Sequence, residues 1–228
     1  MSKRFTKIHK LYEKYANEII ELKPIWRKRK EHIKEVAFDD IEAELLYMYV
    51  REIKPDRIIE FAPDRGWSTH HILDALNRNN NGKCVSYDIV NEAQVCLQKA
   101  NVNTERWEFV QGDVSVNFNT WDYDKIDMVF IDCDHSSQFA LNYTNNALKK
   151  FIERDITVFI HDIFHDWKCG EQPVVINFLL LNNVDWISPS KLLTTRSKYD
   201  EIRQKNLGSW AIDKIHEPDM NPVIIINP

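Results

Sequence analysis

Five apolar runs in this chain close on groups that can bind a cation, accept a hydroxyl or move a proton. They end at Glu60, at Asp88, at Asp113 just beyond the third run, at Asp132 with Asp134 and His135, and at His161 with Asp162. One acid at a strand end usually caps a helix, but five in succession point to a rim lined with carboxylates and imidazoles. The first run, Arg57-Ile58-Ile59-Glu60-Phe61, passes through Ala62-Pro63-Asp64-Arg65-Gly66-Trp67 and reopens with Ser68-Thr69 before a helical pattern. That order reads as the strand, loop and helix N-terminus of a nucleotide-type ligand site. Such a loop usually carries two or three glycines, and here Gly66 stands alone. Asp88 lies where a carboxylate can bind both ribose hydroxyls of a nucleoside. Asp113, in Gln111-Gly112-Asp113, can accept a bond from an adenine amino group or serve simply as a turn carboxylate.

Positioning these groups requires strands whose C-terminal ends share one edge. The apolar runs at 57–61, 83–88, 107–111, 127–132 and 156–162 alternate with helically spaced segments at 68–77, 92–100, 137–151 and 173–181. Met128-Val129-Phe130-Ile131 and Thr157-Val158-Phe159-Ile160 are apolar throughout, as in parallel strands covered on both faces. The pattern predicts a doubly wound α/β fold with a mostly parallel sheet. Asp39 or Asp40 can cap a preceding helix that Pro55 closes. Beyond Leu181 the periodicity weakens, and 186–187, 209–212 and 223–226 read as further short strands.

Charge divides the chain unevenly. Residues 1–34 hold eleven Lys/Arg against four Glu, a surplus of +7, so a net charge of −5 leaves −12 on the remainder. This predicts a basic helical extension over 1–38 and a main domain over 39–228. Ile8, Tyr12, Tyr15, Ile19, Leu22 and Trp26 form an apolar face suited to the domain or to a second copy in a homodimer. Pro24 is expected to end one helix near Leu22 and start another. Arg27-Lys28-Arg29-Lys30 is either a solvated face or an anion patch. No apolar run approaches the roughly 20 residues of a membrane span, and no signal-type stretch follows Met1. Four scattered cysteines, Cys84, Cys96, Cys133 and Cys169, form neither a disulfide framework nor a metal knuckle. A soluble, cytoplasmic protein without membrane or nucleic-acid partners is expected.

Motif order over roughly residues 40–182 resembles the class I S-adenosylmethionine-dependent methyltransferases, and among them the small-molecule and sugar O-methyltransferase-like group. The resemblance rests on the 60–69 loop, Val85-Ser86-Tyr87-Asp88, Gln111-Gly112-Asp113-Val114, Ile131-Asp132-Cys133-Asp134-His135 and Ile160-His161-Asp162. It implies a seven-stranded Rossmann-like sheet and an S-adenosylmethionine site. The loop residues Glu60, Ala62, Pro63, Gly66, Ser68 and Thr69 would hold the methionine part, Asp88 with Ile89 the ribose, and Gly112, Asp113 and Val114 the adenine. The family has glycine where this chain has Ala62, which in the extended conformation that precedes proline still permits the turn but keeps a ligand further from the backbone. The resemblance also implies that His135, with Asp132, promotes loss of a proton from the acceptor hydroxyl; helix capping is the alternative for His135. A divalent ion would sit on Asp132, His161 and Asp162, with His165 nearby, and an imidazole ligand suits a transition ion better than magnesium.

Two other readings compete. A nicotinamide-dependent oxidoreductase needs a Gly-x-Gly-x-x-Gly loop, whereas Asp64 here would repel a pyrophosphate and attract a sulfonium. A non-catalytic module acting through the basic arm would have no physical need for so many acids on the rim.

Overall fold

The computed structural model describes residues 3–34, 38–164, 170–189, 193–212, 215 and 223–228. His165, Trp167 and Cys169, which drew attention in the sequence, lie outside the described residues. A seven-stranded sheet runs in the order β3-β2-β1-β4-β5-β7-β6. Its strands are β1 (Arg57–Phe61), β2 (Lys83–Asp88), β3 (Trp107–Gln111), β4 (Met128–Ile131), β5 (Thr157–Ile160), β6 (Trp186–Ile187) and β7 (Ile224–Ile226). The first five are mutually parallel, and β7 pairs antiparallel with both β5 and β6. Doubly wound topology with a mostly parallel sheet therefore stands as predicted.

Period-2 alternation sends strand side chains to two separate cores. Ile58, Cys84, Met128, Phe130 and Phe159 join the layer of α1 (Lys3–Lys30), α2 (Asp40–Ile53), α3 (Trp67–Asn79) and α8 (Leu193–Leu207). Ile59, Val85, Val129, Ile131 and Val158 face α5 (Ser137–Tyr143), α6 (Lys149–Glu153) and α7 (Glu171–Leu181). α4 (Ala93–Lys99) links β2 to β3. The parallel pairing puts the ends of β1, β2, β4 and β5 on one edge, because crossover helices return each strand in the same direction.

Three local expectations need correction. α1 runs unbroken through Pro24. An interior proline costs about 3 kcal/mol, and burial of Ile8, Tyr12, Ile19 and Trp26 against the chain's own core offsets it. Residues 209–212 are not a strand: Gly208–Ala211 forms a 3-10 turn closing α8, with Ile212 outward. α8 itself has only scattered apolar positions, and Arg203 takes a core position by pairing with Glu44. Third, Ala62 is not extended but has φ +53, in the left-handed region.

Candidate active site

The loop after β1 is held from beneath by Glu60. Its carboxylate is fully buried and accepts hydrogen bonds from Ser68 Oγ at 2.7 Å, Thr69 Oγ1 at 2.9 Å and Ser86 Oγ. Burial pushes the Glu60 carboxyl above its usual range, and the three hydroxyls work against that rise. The hydroxyls that reopen the motif thus tie α3 to β1 and β2. Gly66 begins α3 with φ +86, and a Cβ there would come 2.9 Å from Leu97 Cγ of α4. Helix packing, in addition to backbone conformation, requires this glycine.

Ala62, Pro63, Asp64, Arg65, Trp67 and Ser68 line a cavity of 240 Å³, whose other wall is Phe38, Asp132, His161 and Asp162. The loop and the acids closing β4 and β5 therefore share one space. Asp88 stands behind the loop, accepting from the Asp64 amide at 3.2 Å and the Val90 amide at 3.2 Å. Asp64 is exposed, yet partial desolvation in the loop pushes its carboxyl above the ordinary carboxylate range. Beyond Asp88 the rim continues to Gly112, whose amide donates to the Asp88 carbonyl at 2.7 Å. Asp113 is exposed and caps a 3-10 turn through the Ser115 amide at 2.8 Å, so the turn reading holds for at least one of its oxygens. Ile89 is 69% exposed at the same edge, whereas Val114 is buried.

Asp132, His161 and Asp162 come together as expected, each offering a ligand atom within 4.8 Å of the others. His161 is buried, with Nδ1 3.3 Å from Asp132 and 3.5 Å from Asp162, and with Nε2 3.4 Å from Glu42. Phe38 packs on its ring at 5.0 Å between centroids. His135 approaches the same acids from the α5 side: Nε2 lies 3.9 Å from Asp132 and 4.0 Å from Asp162. Its Nδ1 is 2.7 Å from the buried Glu171 carboxylate, which also accepts from the Tyr143 hydroxyl at 2.6 Å. Burial disfavours the imidazolium of His135, yet the hydrogen bond to Glu171 and the nearby acids raise its pKa. Burial likewise opposes ionisation of Asp132, but His161 and His135 outweigh it and hold the carboxyl low.

Glu42, Glu171, Tyr143 and Phe38 are the site residues that sequence reasoning missed. Glu42 had a signal: Asp39-x-x-Glu42 is a capping box, and both its hydrogen bonds form. Glu171 had none, since its role depends on α7 returning beside β4. A larger hollow of 900 Å³ between α4 and β3 is lined by Asn91, Gln94, Gln98, Trp107 and neighbours, away from the acid–imidazole cluster.

Residues 63–163 match a family described as a methyltransferase domain. No curated protein matches the chain in sequence. Among solved structures, the chain is similar to cofactor-bound Rv0187 from MTB at 15% identity and TM-score 0.58, covering 90% of this chain and 88% of that one. It is also similar to an O-methyltransferase from Bacillus cereus in complex with SAH, at 13% identity and TM-score 0.55 over 93% and 90% of the two chains. A third is the O-methyltransferase TomG from Streptomyces achromogenes, involved in tomaymycin synthesis and solved with SAM, at 19% identity and TM-score 0.52 over 73% and 82%. At such identities the likeness is one of fold. The chain therefore shares the fold of these methyltransferase structures, and across residues 63–163 it matches the methyltransferase-domain family in sequence.

Proposed function

We propose that the protein methylates a hydroxyl of a small molecule or sugar, using S-adenosylmethionine. One observation carries this reading: the cofactor-type loop and the acid–imidazole cluster line the same cavity. When bound, S-adenosylmethionine would supply an electrophilic methyl group on a sulfonium to an acceptor oxygen held in line with it. At 240 Å³ the cavity is smaller than the roughly 300–1,000 Å³ of complete small-molecule sites. It suits the reacting end of the cofactor, with Asp88 and Ile89 taking the ribose and Gly112, Asp113 and Val114 the adenine along the open rim. Asp64, Asp88, Asp132 and Asp162 surround that end with negative potential, which favours a sulfonium over a pyrophosphate.

The acceptor hydroxyl must lose its proton as the new bond forms. His135, held at Nδ1 by Glu171, presents Nε2 to the acids and is placed to take it. Asp132, His161 and Asp162 also fit a divalent ion, because their donor atoms converge and combine hard oxygen with imidazole nitrogen. Such an ion, when bound, would polarise the acceptor oxygen and lower its pKa. Phe38, Pro63 and Trp67 supply apolar wall on the same cavity and help exclude water. Three of the four basic residues that end α1 are engaged within the chain: Arg29 pairs with Asp74, Lys30 donates to the Ile215 carbonyl and Arg27 lies over Trp210.

Calorimetry with S-adenosylmethionine and S-adenosylhomocysteine tests the reading. Binding of both is expected, with Asp88→Ala weakening it at least tenfold. No binding at millimolar concentration would sink the methyltransferase activity.

A further inference from the structure

His161, on the cavity wall, and His135, beside it, face the same two acids from different strand ends, each with a buried glutamate behind the ring: hydrogen-bonded to it for His135, and at 3.4 Å without a hydrogen bond for His161. His161 turns Nε2 toward buried Glu42 at 3.4 Å and Nδ1 toward Asp132 and Asp162 at 3.3 and 3.5 Å. His135 turns Nδ1 toward buried Glu171 at 2.7 Å and Nε2 toward the same two acids at 3.9 and 4.0 Å. In each case one ring nitrogen faces a buried glutamate and the other a shared pair of aspartates. A ligating histidine is oriented in this way: the carboxylate behind it fixes the tautomer and makes the opposite nitrogen a better donor to a metal.

We propose that His135 is a metal ligand, completing with Asp132, His161 and Asp162 a site of two imidazoles and two carboxylates that prefers a transition ion such as Zn²⁺, Mn²⁺ or Co²⁺ to Mg²⁺. Glu42 and Glu171 are its outer-shell carboxylates. Metal–ligand bonds of about 2.0–2.2 Å place tetrahedral donor atoms roughly 3.3–3.6 Å apart. The His161 distances fall at that spacing; His135 Nε2 stands just outside the three-residue cluster, facing the other Asp162 oxygen, and has to move at least a few tenths of an ångström toward both acids to join it. Magnesium favours an all-oxygen shell that retains waters, so two nitrogen donors select against it. Charge argues the same way. Four carboxylates surround two imidazoles in a largely desolvated space, and a divalent cation relieves their mutual repulsion. Glu42 is further fixed by the Asp39 and Val223 amides, at 3.1 and 2.7 Å, and Glu171 by the Tyr143 hydroxyl, so neither is free to swing in as a ligand.

This assignment deepens the proposed reading of the same cavity and rests on it for the location of the ion. It also changes the work of His135. With the ion in place its Nε2 lone pair is committed, and the hydroxyl proton is lost because its oxygen is polarised.

The test is direct metal binding to the full chain stripped with chelator, using Zn²⁺, Co²⁺ and Mg²⁺ alone in calorimetry and Co²⁺ in visible absorption. Zn²⁺ and Co²⁺ are expected to bind at one site, Mg²⁺ at least a hundredfold more weakly, and Co²⁺ to show the strong visible bands of a nitrogen-containing, low-coordinate site. His135→Ala and His135→Gln should each weaken Co²⁺ binding at least tenfold and alter those bands. Glu171→Gln, which keeps the ligand but loosens its support, should weaken binding by about 10–100-fold. Thermal unfolding of each variant verifies that it is folded. Unchanged affinity and spectrum in a folded His135 variant would overturn the assignment, as would equal affinity for Mg²⁺ or no transition-ion binding at millimolar concentration. Calorimetry with S-adenosylhomocysteine on the metal-free protein separates the two ideas. Metal binding without nucleoside binding would remove the methyltransferase reading and leave the ligand set, and the reverse result would do the opposite.

Discussion

Ala62 carries the cost of the loop that Gly66 begins to relieve. At φ +53 its Cβ crowds the backbone, a strain of roughly 1–2 kcal/mol that glycine does not feel. Glycine loses more freedom on folding, about 0.4–1 kcal/mol relative to alanine. Ala62→Gly is therefore expected to stabilise the protein by about 0.5–1 kcal/mol in urea unfolding, and to tighten S-adenosylhomocysteine binding because the cavity wall loses a methyl group. A destabilised variant would mean that the left-handed turn is not strained. At this scale the sequence was legible where a residue's role follows from its neighbours along the chain. Asp39 as a helix cap, Gly66, and Asp132 with His161 and Asp162 belong to that class. Ala62 was misread because the residue before a proline usually stays extended, and here closing the loop overrides that preference. Glu60 was expected to hold the methionine part of the cofactor; its carboxylate is buried and accepts hydrogen bonds from Ser68, Thr69 and Ser86.

Three helices meet around a charged cluster that no periodicity announces. Lys23 of α1, Asp40 and Glu44 of α2 and Arg203 of α8 are all buried, with Lys23 2.9 Å from both acids and Arg203 2.7 Å from Glu44. Tyr12 donates to the same Glu44 carboxylate at 2.7 Å. Burial alone would raise the Glu44 carboxyl, but Arg203 and Lys23 outweigh it and bring its pKa down from 4.5 to about 2. A carboxyl held below its unfolded value stabilises the fold above the unfolded pKa and loses that contribution as pH falls through the folded one. The relevant window is thus pH 4.5 down to about 2, with a contribution on the order of 3 kcal/mol at stake. Glu44→Gln should be less stable than the native chain at neutral pH, and the gap should close across that window. Urea unfolding at a series of pH values measures it, and a constant gap would deny Glu44 the linkage. α8 escaped sequence reading because, beside Tyr199, Ile202 and Leu207, one of its core positions is filled by Arg203, whose partner lies 159 positions away. The central strands were legible as short apolar runs, and α2–α4 from the helical spacing of apolar residues within each segment.

At the scale of the whole molecule, the sheet order brings the strand-end acids and imidazoles together and the N-terminal helix holds the layer that supports them. Glu42 reaches His161 from α2, and α2 is in turn clamped by α1: Tyr12 and Lys23 bind Glu44, Arg51 pairs with Glu18 at 2.7 Å, and Trp26 donates to Asp74 of α3 at 2.8 Å. Ile8, Tyr12, Ile19 and Trp26 belong to the same core as β1, β4 and β5. Removing residues 1–34 would expose that apolar surface and leave Glu44 and Asp40 without the Lys23 ammonium. Breaking a buried charge network by taking out one partner typically costs about 3–5 kcal/mol, a large fraction of the total stability of about 5–15 kcal/mol for a native domain. Adding the lost apolar burial, the shortened chain is expected to lose cooperative thermal unfolding, and with it any binding of metal at Asp132, His135, His161 and Asp162. Differential scanning calorimetry of residues 35–228 beside the full chain decides the matter. A single sharp transition within a few degrees of the full chain would show that the basic segment is an appendage. A broad or absent transition would show that the +7 segment, so distinct from the acidic body in sequence, is the outer wall against which the layer behind Asp132, His161 and Asp162 is built.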